Sequence, residues 1–217
     1  MGYAHVPGVL TPEACRRLIA DYDNPKFLPE DDHHGAVSLS AWANTNTSPI
    51  RSPGNSPDDS RDGFIPSSHR SPINGWNGWA WKSASPALFT DLQTLCHRAG
   101  QDKPTVLILR YGEGGHNTLH QDLYGEIFFP IQLVLFLNEP DADYTGGEFV
   151  PSRQSPRAQS KAIVLRPRRG GHGALHDELR PVKGKRGYHR AGLRHGVSEV
   201  HTGQRHTLGI IFHDALS

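Results

Sequence analysis

The sequence predicts a mainly β fold, a two-sheet sandwich or jelly roll core with flanking N-terminal helices. Two observations carry this. From Pro104 onward, short runs rich in β-branched and aromatic residues recur at 105–111, 127–137, 147–150, 162–165 and 208–212, separated by Gly, Pro, Asn and Asp. Ahead of them, two stretches repeat apolar residues at helical spacing, so helices and strands are segregated along the chain. A length of 217 residues fits one domain over 1–217, with its jelly-roll core over 104–217.

The chain opens with a strand over 6–10 and then a helix. Thr11, Pro12 and Glu13 supply an N-cap, a proline at the first helical position and an early acid. Ala14, Leu18, Ile19 and Tyr22 then recur on one face to about Asp23. Residues 24–85 break the pattern. The stretch 44–60 is dense in turn formers, and an irregular loop this long inside a compact domain is usually functional or disordered. Beyond it, Trp76, Trp79 and Trp81 read either as indoles filling a core or as part of a substrate lid. A second helix opens at Ser85 and Pro86, carries Leu88, Leu92, Leu95 and Cys96 on one face, and ends at Gly100.

Charge is close to balanced, with 23 basic against 22 acidic side chains and a pI near 7.9. That excludes attachment to nucleic acid or an anionic membrane by bulk charge alone. Positive charge does gather in the C-terminal third, at Arg166, Arg168 and Arg169 and again over 183–194, as solvated loop charge or as a phosphate track. Cys15 and Cys96 read as free buried thiols, since two cysteines make no disulfide framework. With no recognisable leader and no apolar run of bilayer length, a soluble cytoplasmic protein with no membrane partner is expected. Oligomeric state leaves no signature.

The chemistry concentrates at His120, Asp122, His195 and Arg205. A His-x-Asp spacing on a strand turns both side chains to one face. This one follows the 106–111 strand and a Gly-rich turn at 112–115 that would carry it to a sheet mouth. His195, arriving from a distant strand, completes two histidines and one carboxylate, a facial set with open positions that marks non-haem Fe(II) oxygenases. After it, Val197 and Val200 pack inward, Gly203 makes a turn, and Arg205 returns along the adjacent strand. Its guanidinium suits a dicarboxylate.

Four stretches, Leu119-His-Gln-Asp-Leu-Tyr-Gly125, Thr145-Gly-Gly-Glu-Phe149, Arg194-His-Gly-Val197 and Arg205-His-Thr-Leu-Gly-Ile-Ile-Phe-His-Asp214, resemble the 2-oxoglutarate/Fe(II)-dependent oxygenases of the double-stranded β-helix fold. More narrowly, they resemble the AlkB-like and prolyl-hydroxylase-like bacterial group, and the likeness covers about half the chain. The resemblance implies Fe(II) on His120, Asp122 and His195. It also implies 2-oxoglutarate held through its distal carboxylate by Arg205, with a contact from Tyr111. O2 and 2-oxoglutarate are then consumed, succinate and CO2 released, and a substrate C–H bond oxidised. The chain departs from the group over 24–85 and at Arg153-Gln-Ser-Pro-Arg157, so substrate identity does not transfer with the metal chemistry.

Two substrate classes follow. A small molecule, amino-acid-like or a biosynthetic intermediate, fits the near-neutral charge and the unusual 24–85 region. A methylated nucleobase, demethylated oxidatively, fits the AlkB likeness, the basic cluster and aromatics able to stack a flipped base. The small molecule is the expectation. Candidate substrate contacts are Trp79, Trp81, Glu148 and Arg157, set against roles as core indoles, a turn cap and an exposed arginine. A metal-binding jelly roll without turnover and a zinc hydrolase are the competing readings, and the second leaves Arg205 without a purpose. Gln121, His206 and His213 are expected to be structural, and Asp141 and Asp143 to occupy a solvated turn.

Overall fold

A computed structural model of the chain describes residues 3–22, 36–38, 89–154, 159–176, 180–184 and 187–216. Trp79, Trp81, Arg157, the helix opening at Ser85 and Pro86, and all of 24–85 except 36–38 lie outside the described residues.

The chain opens with β1 (Tyr3–Val6) and α1 (Pro12–Tyr22). The strand overlaps the expected 6–10 stretch only at Val6 and ends there, because Pro7 has no N–H to give and Gly8 takes φ +71°. The Val9 and Leu10 amides turn instead to the Gly170 carbonyl, at 2.7 and 3.0 Å. Thr11 caps the helix through its Oγ1, which accepts from the Ala14 amide at 3.2 Å. Within the stretch expected to be irregular, β2 (Ala36–Ser38) forms a strand. There follow α2 (Phe89–Arg98), β3 (Gln101–Lys103), β4 (Val106–Tyr111), β5 (Asn117–His120) and β6 (Ile131–Phe136). Next come β7 (Tyr144–Gly146), β8 (Ser152–Gln154), β9 (Lys161–Ala162), β10 (His172–His176) and β11 (Arg180–Gly184). The last strands are β12 (Gly187–Val197), β13 (Val200–Gly203), β14 (Arg205–Ile211) and β15 (Ala215–Leu216).

Among the described residues the major sheet runs β1-β10-β6-β14-β4-β2, each neighbour antiparallel. The minor sheet runs β11-β12-β8-β9, with β5 laid on β12. This is the expected jelly roll with flanking helices. Alternation along the central strands divides their two faces. Ile108, Leu135 and Leu208 meet Cys15, Leu18 and Tyr22 of α1. Leu133, with Phe129 and Phe212, meets Phe89, Leu92 and Cys96 of α2. Val134 and Phe136 face the other way and pack with Phe149, Leu175 and Leu193. Both cysteines are free and buried, as expected.

The run expected over 127–137 becomes a strand only at Ile131. Ahead of Pro130 the backbone is claimed by side chains: the Ile127 amide donates to Gln101 Oε1 at 2.8 Å and the Phe129 amide to His213 Nδ1 at 3.3 Å. His213 is 1% exposed, and burial holds its imidazole down at about 4. A folded pKa below the unfolded one means the unfolded chain takes up a proton first. Stability therefore falls as pH drops from about 6.5 toward 4 and is flat above that window. Denaturation at pH 7 and pH 5 should differ by about 2 kcal/mol from this group, and His213→Gln should remove that difference. An unchanged slope in the variant would assign the pH dependence elsewhere.

The 138–143 turn is solvated as expected, with Asp141 exposed, and it also carries ion pairs. Arg166 reaches Asp141 and Arg169 reaches Asp143, both at 2.6 Å, so these arginines are ion-paired rather than free loop charge. Among the described residues no helix is long and apolar enough to cross a membrane.

Candidate metal centre

β5 pairs with β12 so that His120 lies opposite His195, and directly opposed residues share a face. The chain leaves β5 at His120, so alternation along one strand is not what aims Asp122. It arrives from the segment after the strand and is buried between the two imidazoles. Its Oδ1 lies 3.5 Å from His120 Nε2 and its Oδ2 lies 3.3 Å from His195 Nε2. One donor atom from each of the three residues falls within 4.8 Å of the others.

Each member has an outer contact. His120 Nδ1 sits 2.7 Å from the Thr118 carbonyl, which only accepts, so Nδ1 carries the proton and Nε2 presents its lone pair. Gln132, buried on β6, sets its amide nitrogen 3.3 Å from His195 Nδ1. Tyr124 donates its hydroxyl to Asp122 Oδ1 at 2.8 Å. Burial alone would raise the Asp122 carboxyl, but His195, Tyr124 and His120 outweigh it and hold it down at about 2. Tyr124→Phe should weaken metal binding by about 10- to 100-fold, the range typical of lost outer contacts, with little change in unfolding midpoint. Chelator competition measures it, and equal affinity would show that the phenol does not orient the carboxylate.

The three residues line a cavity of about 420 Å³ that Arg205 also enters. Arg205 is 1% exposed, and its Nε and Nη1 have no hydrogen-bond partner. The Tyr111 and Phe136 rings flank the guanidinium, their centroids 5.3 and 5.8 Å from its carbon. Burial lowers its pKa from the ordinary arginine value. The glycine pair after Thr145 accounts for this placement. Gly147 takes φ +61°, and a Cβ there would meet Arg205 Cδ at 2.9 Å, so only a bare backbone fits against the arginine stem. It also breaks the strand expected over 147–150, leaving β7 before it and a bridge from Phe149 to Val197 after it. Arg205 does not neighbour the strand of His195, as the sequence reading had it. β14 lies in the major sheet between β4 and β6, with Arg205 opposite Tyr111.

Two imidazoles and a carboxylate suit Fe(II), and a buried guanidinium with two unpartnered groups suits a carboxylate. Tyr111 lines the same cavity. Glu148 does not: it is bonded to Ser198 and lies 3.8 Å from Arg166. His206 binds Asn138 through its amide at 2.6 Å, apart from the triad. Sequence reasoning passed over Tyr124, Gln132 and the role of Gly147. Gln132 did leave a signal, as the one polar residue within the apolar strand Ile131–Phe136.

A sequence model of the Oxygenase-NA family, described as oxygenases catalysing oxidative methylation of damaged DNA, matches residues 71–215, about two thirds of the chain. An uncharacterized protein of Mycobacterium tuberculosis is 42% identical over 142 residues, covering 65% of this chain and 61% of that relative. The chain thus spans less than two thirds of that relative's length. Among solved structures, a Pseudomonas putida prolyl-4-hydroxylase is similar at 14% identity and TM-score 0.46, over 97% of this chain and 91% of its own. A viral collagen prolyl hydroxylase from Paramecium Bursaria Chlorella virus-1 is similar at 15% identity and TM-score 0.45, over 96% and 93%. With the family match spanning most of the core that carries these residues, the chain belongs to the Oxygenase-NA family.

Proposed function

We propose that the chain is an Fe(II)- and 2-oxoglutarate-dependent dioxygenase that oxidises a C–H bond of an organic substrate and releases succinate and CO2. The observation that carries this reading is Arg205, buried with unpartnered Nε and Nη1 in the cavity that also receives His120, Asp122 and His195. A buried cation with unmade hydrogen bonds is costly unless an anion completes it, and a hydrolase would leave it unused.

In this reading His120, His195 and Asp122 hold the metal, with Asp122 ionised throughout the physiological range because its carboxyl sits at about 2. Arg205 grips the distal carboxylate through its fork, and Tyr111 packs on the guanidinium and walls the same end. Fe(II) and 2-oxoglutarate, when bound, supply an oxidant strong enough for an unactivated C–H bond. Leu107, Leu109, Val134 and Val197 give the cavity apolar walls that exclude water and turn substrate carbon toward the triad.

The small-molecule substrate rests on the balanced charge of 23 basic against 22 acidic side chains. The family's description, which names damaged DNA, supports the second class, an alkylated nucleobase. Anaerobic titration of the apo-protein with Fe(II) and 2-oxoglutarate, followed by candidate substrates, is the test. A visible charge-transfer band is expected on chelation. A band shifted by methylated single-stranded oligonucleotide, with affinity falling steeply in salt, assigns the nucleobase. A shift with amino-acid-like compounds alone assigns the small molecule, and no band removes the cosubstrate from the account.

A further inference from the structure

β14 turns Arg205, Thr207, Gly209 and Ile211 to the cavity, while Leu208 and Ile210 pack toward the helices. Beside them on β4 stand Tyr111, Leu109 and Leu107, opposite 205, 207 and 209. On β6 stand Phe136, Val134 and Gln132, opposite 207, 209 and 211. The floor of the cavity is therefore tiled with side chains except at Gly209. Its β14 neighbours on this face, Arg205, Thr207 and Ile211, are buried, and Gly209 is only half-buried.

A glycine in the middle of a seven-residue strand weakens that strand, through chain entropy and lost packing. Neither structural reason for one applies here. Its φ is not in the left-handed region, and an added Cβ would meet only the Leu107 carbonyl, at an ordinary 3.8 Å. Gly147 is the contrast, since there both reasons hold. What remains is the close approach of a ligand to bare backbone.

The position of the gap says which ligand. One end of the floor is Arg205 beside Tyr111, and the other is Ile211 beside Gln132, whose amide touches His195. Along β14, Gly209 stands between Arg205 and Ile211, the latter beside Gln132, and it lines the same cavity as the triad. We propose that Gly209 is the specificity-determining position of the cosubstrate channel, giving room for the carbon chain of a five-carbon dicarboxylate that runs from Arg205 to the triad. This rests on the proposed cosubstrate and adds the residue that makes space for it.

The test uses Gly209→Ala and Gly209→Val, titrated calorimetrically with 2-oxoglutarate in the presence of Mn(II) so that no turnover occurs. Both variants gain strand propensity and should melt a few degrees higher than the parent, about the shift expected for a relieved strand glycine. Mn(II) affinity without cosubstrate should be unchanged. Affinity for 2-oxoglutarate should fall by about tenfold with alanine and about a hundredfold or more with valine. Stability and binding thus move in opposite directions, which a packing role would not produce. The proposal is overturned if valine leaves 2-oxoglutarate affinity within about twofold of the parent, or if melting temperature falls in step with affinity. A parent protein that binds no 2-oxoglutarate would instead overturn the function on which the proposal rests.

Discussion

Asp122→Ala is expected to abolish succinate release, a loss of about a thousandfold or more, because ligands that act as a unit fail together. Asp122 carries the negative charge set between His120 and His195, whose ring centroids are 4.3 Å apart. Without it, only the two imidazoles remain to bind a dication. His120→Ala and His195→Ala should match it, and combining any two should add little. Metal content and succinate release, measured on the same samples, decide the matter. A variant that binds metal and turns over normally would show that the ligand set is misassigned.

Arg205→Ala should raise the 2-oxoglutarate requirement by about a hundredfold or more, the cost of removing one partner of a buried charged pair. The Fe(II) requirement should move by no more than a few-fold. Arg205→Lys should recover only part, since it keeps the charge and loses the two-pronged geometry. Because Arg205 is buried against Gly147, unfolding curves must accompany the kinetics. Equal rises in both requirements would point to collapse of the site rather than loss of a carboxylate grip.

Much of this architecture was readable from local pattern. The strands Val106–Tyr111 and Arg205–Ile211 declare themselves by β-branched and apolar runs, and α1 by its cap and spacing. The longest strand, Gly187–Val197, was not anticipated along its length. Its sequence mixes glycine, histidine and arginine, and pairing with β5, β8 and β11 sustains it rather than intrinsic propensity. His120, Asp122, His195 and Arg205 stood out because their spacing suits one chemistry, and the fold brings all four to one cavity. Which sheet each would join was illegible, since Arg205 follows His195 closely in sequence yet stands in the other sheet. Tyr124 was hidden for a different reason: its hydroxyl reaches Asp122 two residues away, a contact that leaves no periodicity, whereas the polar break at Gln132 was visible but its partner His195, far along the chain, was not.

The division of labour between the sheets has a mechanical consequence. His120 and His195 belong to strands of the minor sheet, while Arg205, Tyr111 and Gln132 belong to the major one. On the proposed function, metal alone would fasten only one leaf of the sandwich. Metal and dicarboxylate together would act as a bolt through both leaves, and a ligand present at a hundred times its dissociation constant adds about 2.7 kcal/mol to the folded state. Amide exchange should register the difference: metal slows opening of β5 and β12, and the pair of ligands slows β4, β6 and β14 with them.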